Sequence, residues 1–558
     1  MSNIFHDFSK APANLNIQRS VFKRDSGHQT TTNLGTFTPI YIDEMVPGDT
    51  FKMKTSMVAR MTSLTRPIFG NINMDIYYFF VPMRLIWKHW KEFNGENNTN
   101  AWTKDAPSYS IPQIIAPRDK GWQKGTLADH LGLPINKSGY SVSALPFRAL
   151  TLIYNEWFRD ENVQRPMLLD DGDATTTGTN GNTYADMIKG GMCPQVNKYH
   201  DYFTSALPAP QKGEPVTVSL AGQAPLNTQN TPYEMDSGTS IAFGSTDYDG
   251  DTNDNTGAYL YNFRQSDGTY NGLKKTGNLT TTGGKEGILD KTNLYADLTN
   301  VSVITINALR TAFQIQKILE ADARGGTRYV EILKQRFDVT CPDYRLQRPE
   351  YLGGKRTPIM IQQVAQTSET SATSPQGNLT AYSQTNDSSD SFVYSAQEFG
   401  YVIGIAVARQ EHVYSQGINK MFLRKTIYDF YQPKLANLGE MAITKKELFL
   451  TENNSPVNDE VFGYQEAWAD MRYKPNLVTG MLRPDLGAEG LENYSIADKY
   501  ANAPTISEAF TLETPDYLDR ALAVDHTKAD QFILDFYFNC TARRPMPVYS
   551  IPGLIDHH

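Results

Sequence analysis

Hydrophobic and polar positions alternate most regularly between Phe51 and Met61. There Phe51, Met53, Thr55, Met57, Ala59 and Met61 face one way and Lys52, Lys54, Ser56 and Arg60 the other, with Val58 the exception. A period of two predicts a strand with one face on a core. The Pro-Gly-Asp turn at 47–49, after the short Pro39 to Ile42 segment, feeds such a strand. The alternation recurs from Ile72 to Phe80, where Ile72, Met74, Ile76, Tyr78 and Phe80 oppose Asn71, Asn73 and Asp75. Near the far terminus Phe532, Leu534, Phe536, Phe538 and Cys540 alternate with Gln531, Ile533, Asp535, Tyr537 and Asn539. Long, one-sided strands at both ends of a chain predict antiparallel sheets. Tyr401 to Ala408 is the longest apolar run; it has the length of a buried strand and holds Gly404.

Helical spacing interrupts the strands. Leu150, Ile153, Tyr154, Trp157 and Phe158 recur at helical intervals, with Ser143 placed to cap and Pro146 near the first turn. A second helix is predicted from Ile306 to Ala323, its apolar stripe formed by Ile306, Leu309, Phe313, Ile315, Ile318 and Leu319, stopped at Gly325-Gly326. Trp87 and Trp90 mark a third, short helix and are read as core packing rather than a ligand cage.

From Pro208 to Asn300 the chain turns to Gly, Thr, Asn, Asp and Tyr, with almost no aliphatic run. Such a segment builds no ordinary core alone, since little apolar burial opposes the ordering entropy. It is read as a projecting insertion, giving three divisions: 1–207, 208–300 and 301–558. Thr367 to Ser391, rich in Ser, Thr and Gln, is read as another surface loop.

Across 558 residues, 40% are apolar and 20% charged, which excludes wholesale disorder. The balance of 52 Lys and Arg against 61 Asp and Glu leaves a net charge of −9, the wrong sign for coating nucleic acid by bulk attraction. Any such contact must be local. Three distant cysteines, Cys193, Cys341 and Cys540, form no metal-binding pair or disulfide framework and fit a reducing compartment. No export signal or bilayer-spanning segment is legible, so no membrane insertion is expected.

Catalytic signatures are missing: no G-x-S-x-G, H-E-x-x-H or G-x-G-x-x-G occurs. The stretch before Gly284-Lys285 lacks the first phosphate-loop glycine at Leu279, and Glu286 replaces the hydroxyl that Mg²⁺ needs. Asp247, Asp249 and Asp251 alternate so that they could converge on Ca²⁺, yet Thr252 and Ala258 occupy the turning-glycine and bidentate-glutamate positions. A solvated acidic loop tip explains the run at less cost. His200-Asp201 and Glu411-His412 put acids beside imidazoles, but neighbours point apart in a strand, so surface or capping roles are expected. Basic pairs stand at Lys355-Arg356, Arg424-Lys425, Lys445-Lys446 and Arg543-Arg544, and the N-terminal arm carries Arg19, Lys23 and Arg24. Beside aromatic residues such groups could hold single-stranded nucleic acid; salt bridges are the plainer reading for any one pair.

Long stretches are familiar as a set: TPIYIDEMVPGDTFKMKTSMVARM, MDIYYFFVPMRLIWKHWKEFNGE, INALRTAFQIQKILEADARGGTRYVEILKQRF, GYVIGIAVARQEHVYSQGINKMFLRK, FGYQEAWADMRYKPNLVTGMLRP and YFNCTARRPMPVYSIPGLIDHH. They resemble the major capsid proteins of the gokushoviruses, small single-stranded-DNA phages within the Microviridae. The resemblance implies a mainly β fold: an eight-stranded antiparallel jelly roll of viral capsid type, with long helical and loop insertions. It implies assembly into a T=1 icosahedral shell, with pentamer and trimer contacts, around single-stranded DNA. A small basic DNA-binding protein, a pilot protein and a bacterial surface receptor are the implied partners. Virion localisation after assembly in the host cytoplasm follows, with no enzymatic activity and no cofactor.

In that family the large insertion stands as a threefold protrusion, the place occupied by 208–300, although the resemblance transfers no contact residues there. Three Tyr- and Gly-rich loops meeting on an axis can order one another, and Tyr233, Phe243, Tyr248, Tyr259, Tyr261, Phe263 and Tyr270 are the candidates for threefold packing or host attachment. Arg19, Lys23 and Arg24 are the candidates for an inward arm touching DNA. The alternative is a glycan-binding, adhesin-like β sandwich.

Overall fold

The computed structural model describes residues 18–96, 109–214, 306–370, 375–453, 455–484, 486–487 and 490–549, with residue 216 and four short strands between 226 and 296. Nine strands form its two large sheets: β1 (Ser20–Lys23), β2 (Ser26–Thr32), β3 (Thr38–Met45), β4 (Thr50–Met61), β5 (Ile72–Pro82), β6 (Glu350–Pro358), β7 (Thr385–Ser395), β8 (Gly400–Gln410) and β9 (Phe532–Arg544). One sheet runs β9–β4–β7, with β1 and β2 both on the outer edge of β9; the other runs β6–β5–β8–β3. Every one of these pairings is antiparallel.

Alternation decides which faces meet. In β4 and β9 the buried residues are those predicted from the pattern, with Phe536 paired to Met57 and Cys540 to Met53. They share one core with Ile72, Met74, Ile76, Tyr78 and Phe80 of β5 and with Val402, Ala406 and Ala408 of β8. The two sheets are therefore layers of a sandwich.

The second face of the four-stranded sheet is covered as well. Phe79, Val81, Ile403, Ile405 and Val407 pack against helix α1 (Leu145–Ile153) and its π-helical continuation Tyr154–Phe158, together with Trp87 and Trp122. Pro146 sits in the first turn of α1, and Ser143 Oγ accepts from Leu145 N at 3.3 Å. Asn73 and Asp75, expected opposite the core face, are buried as well. Asp75 is compensated by Arg356 Nε at 2.9 Å, Tyr199 Oη at 2.8 Å, Tyr77 Oη at 3.0 Å and Arg409 at 3.4 Å.

Two further expectations change. Thr367 to Ser391 is not a loop throughout: Leu379–Ser383 pairs with Ile361–Ala365, and β7 begins at Thr385 on the edge of β4. Hydroxyl pairs, Thr55 with Ser391 at 2.7 Å and Ser56 with Ser388 at 3.0 Å, replace the apolar alternation that normally marks a strand. Helix α2 (Ile306–Gly325) forms where its spacing predicts, but the stripe faces solvent, with Phe313 65% exposed. A smaller apolar core unites Tyr202 and Phe203, from the segment between β5 and β6, with Tyr414, Ile443, Phe462 and Phe510, from between β8 and β9.

The chain divides into two compact units, 1–214 with 317–558, and Pro215–Gln316. In the second, Leu226–Thr228 pairs with Leu294–Ala296 and Tyr261–Arg264 with Tyr270–Lys274. No described helix is long and apolar enough to cross a membrane.

Candidate nucleic-acid and assembly surfaces

Because β4 and β9 send alternate side chains into the sandwich, their other positions form an uncovered face. Lys52 and Lys54 project from β4, Tyr537, Asn539, Thr541 and Arg543 from β9, and Val21 and Lys23 from β1. Register aligns them: Lys23 and Lys52 flank Thr541, Lys54 lies between Asn539 and Asp390, and Arg543 lies between Val21 and Thr50. Among the described residues none forms an ion pair with Lys23, Lys52, Lys54 or Arg543.

The three arm residues part company here. Arg19 is exposed just before β1 and Lys23 belongs to the uncovered face. Arg24 instead turns to β3, where Asp43 accepts from its Nε at 2.9 Å and from its terminal nitrogen at 2.6 Å. Most of the other basic pairs are likewise engaged: Arg356 with Asp75, Lys355 with Asp387, Arg424 with Asp470 at 2.5 Å, Lys445 with Glu460 at 2.7 Å, Lys446 with Asp459, and Arg544 with Asp49 at 3.2 Å.

His412 lies neither on the surface nor at a cap, which corrects the expectation from its sequence neighbour. It is buried at the end of β8, donating from Nδ1 to Asp498 at 2.7 Å and from Nε2 to Glu513 at 3.2 Å. Lys198 Nζ stands 3.5 Å from Asp498, and Tyr500 Oη donates to the same carboxylate at 2.7 Å. Burial opposes the imidazolium, but the two carboxylates outweigh it and hold the His412 pKa up at about 9. Burial likewise opposes charge on Asp498, and His412 with Lys198 overcomes it, holding that carboxyl well below its ordinary range. The partners lie 86 and 101 residues away, so no local motif announces them. His200 is exposed, whereas Asp201 closes a turn by accepting from Phe203 N at 2.9 Å and Thr204 N at 2.8 Å.

Asp516, Asp519 and His526 bring ligand atoms within 4.8 Å of one another, a grouping the sequence did not suggest. Asp519 already accepts from His526 Nδ1 at 2.5 Å and from Gln531 Nε2 at 2.7 Å. The arrangement therefore pins the turn that leads into β9.

Asp247, Asp249, Asp251, Tyr233, Phe243, Tyr248 and Tyr259 lie outside the described residues. Tyr261, Phe263 and Tyr270 fall on the short ladder, with Phe263 opposite Asn271 and Arg264 opposite Tyr270.

A second exposed surface is apolar, although Tyr431 packs edge-on against Trp468 and Arg424 lies over the Phe430 ring. Between β8 and β9, Met421, Phe422, Ile427, Tyr428, Phe430 and Tyr431 crowd one short segment of single-turn helices, with Phe422 73% and Tyr428 71% exposed. Lone exposed apolar residues are ordinary, but a contiguous run marks a contact surface.

The family model described as capsid protein (F protein) matches residues 10–554. The capsid protein VP1 of Spiroplasma virus 4 is 39% identical over 558 residues, that of Bdellovibrio phage phiMH2K 37% over 555, and that of Chlamydia phage 1 36% over 585. Each alignment covers 98% of this chain and 97% of the relative.

Proposed function

The chain belongs to the phage F-protein family of capsid proteins, a structural protein rather than an enzyme, and from that premise we propose that it builds a T=1 icosahedral shell around circular single-stranded DNA. The observation that carries this reading is the nesting of the strands: β2 pairs with β9, β3 with β8, β4 with β7 and β5 with β6. Pairing first with last and so inward, across two facing sheets, supports a reading as an eight-stranded jelly roll of viral capsid type, with β1 as an added edge strand. The rigid sandwich is the tile, and the exposed apolar segment around Phe422 and Tyr428 is a surface by which neighbouring tiles close pentamer and trimer contacts.

The virion is of gokushovirus type, assembled in the host cytoplasm. Its 208–300 segment forms a threefold protrusion for attachment to a bacterial surface receptor, with Tyr233, Phe243, Tyr248, Tyr259, Tyr261, Phe263 and Tyr270 packed within it or displayed on it. The N-terminal segment through β1 faces inward, with Arg19 and Lys23 toward DNA and Arg24, just after β1, bracing it on Asp43. An acidic subunit of net charge −9 leaves most genome neutralisation to a small basic protein or bound cations, and a pilot protein completes the particle. An adhesin-like sandwich rested on the polar insertion alone, and the family match over 10–554 favours the shell instead. Sedimentation and negative-stain microscopy of the purified chain test the proposal: closed particles support it, and a persistent monomer or small sugar-binding oligomer contradicts it.

A further inference from the structure

We propose that packaged single-stranded DNA lies across the uncovered face of the five-stranded sheet, with Lys23, Lys52, Lys54 and Arg543 on phosphates and Tyr537 under a base. This deepens the shell reading and rests on it.

The first ground is selective neutralisation. The chain as a whole is acidic, and most of its clustered cations are held by carboxylates, as Lys445 is by Glu460 and Arg24 by Asp43. These four cations have no carboxylate partner among the described residues, and neither has Arg60 farther along the same face of β4. Two acids share the face, Asp390 opposite Lys54 and Asp535 opposite Val58, and neither pairs with a described cation. The surface is a positive island on a negative subunit, the local contact that the overall charge demands.

The second ground is spacing and rigidity. Lys52 and Lys54 leave the same strand about 6.7 Å apart, and Lys23 stands across β9 from Lys52 at about 9.6 Å, two strand spacings. Their backbones are fixed by ladder hydrogen bonds and by the core beneath, so the cations are arranged before any strand arrives. Tyr537, 52% exposed, projects from β9 beside Ser56. Basic groups that track a backbone beside an aromatic platform are the elements of sequence-tolerant single-strand binding. Charge complementarity selects a polyanion as occupant, and the open sheet admits a flexible strand.

The test uses the full chain and oligothymidylate, followed by fluorescence anisotropy over a range of salt. Combining K23Q, K52Q, K54Q and R543Q is expected to weaken binding about 5-fold per cation at about 0.1 M salt and to flatten the slope of log affinity against log salt by about 0.7 per cation. The K445Q/K446Q variant, whose side chains are already paired, keeps wild-type affinity and slope. In the unaltered protein, oligothymidylate protects Lys52 and Lys54 from acetylation, a readout independent of any variant's folding. Wild-type affinity and salt slope in the fourfold variant, or equal acetylation with and without DNA, overturns the inference, including the case in which the face serves an acidic protein instead. Particles that form normally while both DNA readouts stay unchanged would sink this site alone; absence of particles sinks the shell reading.

Discussion

His412 donates a hydrogen bond to Asp498 at 2.7 Å with both side chains buried, joining the end of β8 to the long segment that precedes β9. Its second nitrogen faces Glu513, while Lys198 and Tyr500 face Asp498, so the imidazolium form fits the site. A folded pKa of about 9 lies above the ordinary histidine value of 6.5. The stabilisation is therefore complete below about pH 6.5 and is lost as pH rises through 9. Asp498 has the opposite sign: its contribution is present above the ordinary carboxylate range and fades in strong acid. Thermal unfolding from pH 6 to 10 checks this, with a midpoint falling between pH 6.5 and 9. His412→Ala leaves two buried carboxylates with one lysine, costs about 3–5 kcal/mol and flattens that alkaline fall.

Gly404 lies in β8 directly over Tyr78. A Cβ built there would stand 2.7 Å from the Tyr78 ring and 3.0 Å from Tyr41 Cβ. Gly404→Ala must displace an aromatic ring in a sheet covered on both faces, at about 1–3 kcal/mol. Denaturant unfolding of the subunit should show a lower midpoint, whereas G377A, with open space around it, measures only local backbone strain at a positive φ of 84°.

Phe422 and Tyr428 contribute little to the isolated fold because both remain largely exposed. Replacing both with Ser should change subunit stability by no more than about 0.5 kcal/mol while abolishing assembly. Light scattering during assembly, beside circular dichroism of the free subunit, separates the two effects. Normal particles from the double variant would remove this surface from the contacts between copies.

The insertion supplies a third kind of test. Shells lacking residues 220–290 are expected to assemble and yet fail to adsorb to cells. Adsorption at the normal level by such particles would place attachment elsewhere on the virion.

The sandwich was legible where one physical demand acted alone. In β4 and β9 a single buried face imposed strict alternation, and the buried residues are those the pattern named. In β5 the aromatic end is buried on both faces, as its composition suggests, whereas Asp75, expected opposite the core, is an interior charge held by Arg356, Arg409, Tyr77 and Tyr199. Strand β7 escaped notice because hydroxyl pairs such as Thr55 with Ser391, rather than apolar side chains, hold it against β4. The spacing of α2 located the helix correctly but not its surroundings, since periodicity records an apolar face and not what covers it. Of the arm, Lys23 joins a cationic face whose other members lie on β4 and β9; the sequence displayed that alternation without revealing that Arg543 pairs beside β1 and that Lys52 lies one strand farther on. The His412 cluster gave no local signal, because its acids arrive from distant segments.

The central claim is that nested strands make this chain a tile of a closed shell. Cryo-electron microscopy of the expressed full chain, reconstructed without imposed symmetry, tests it most directly. The account predicts hollow particles with T=1 icosahedral order in which each subunit shows the five- and four-stranded sheets packed face to face. Subunits that stay discrete under every condition in which related capsid proteins close into shells would contradict it.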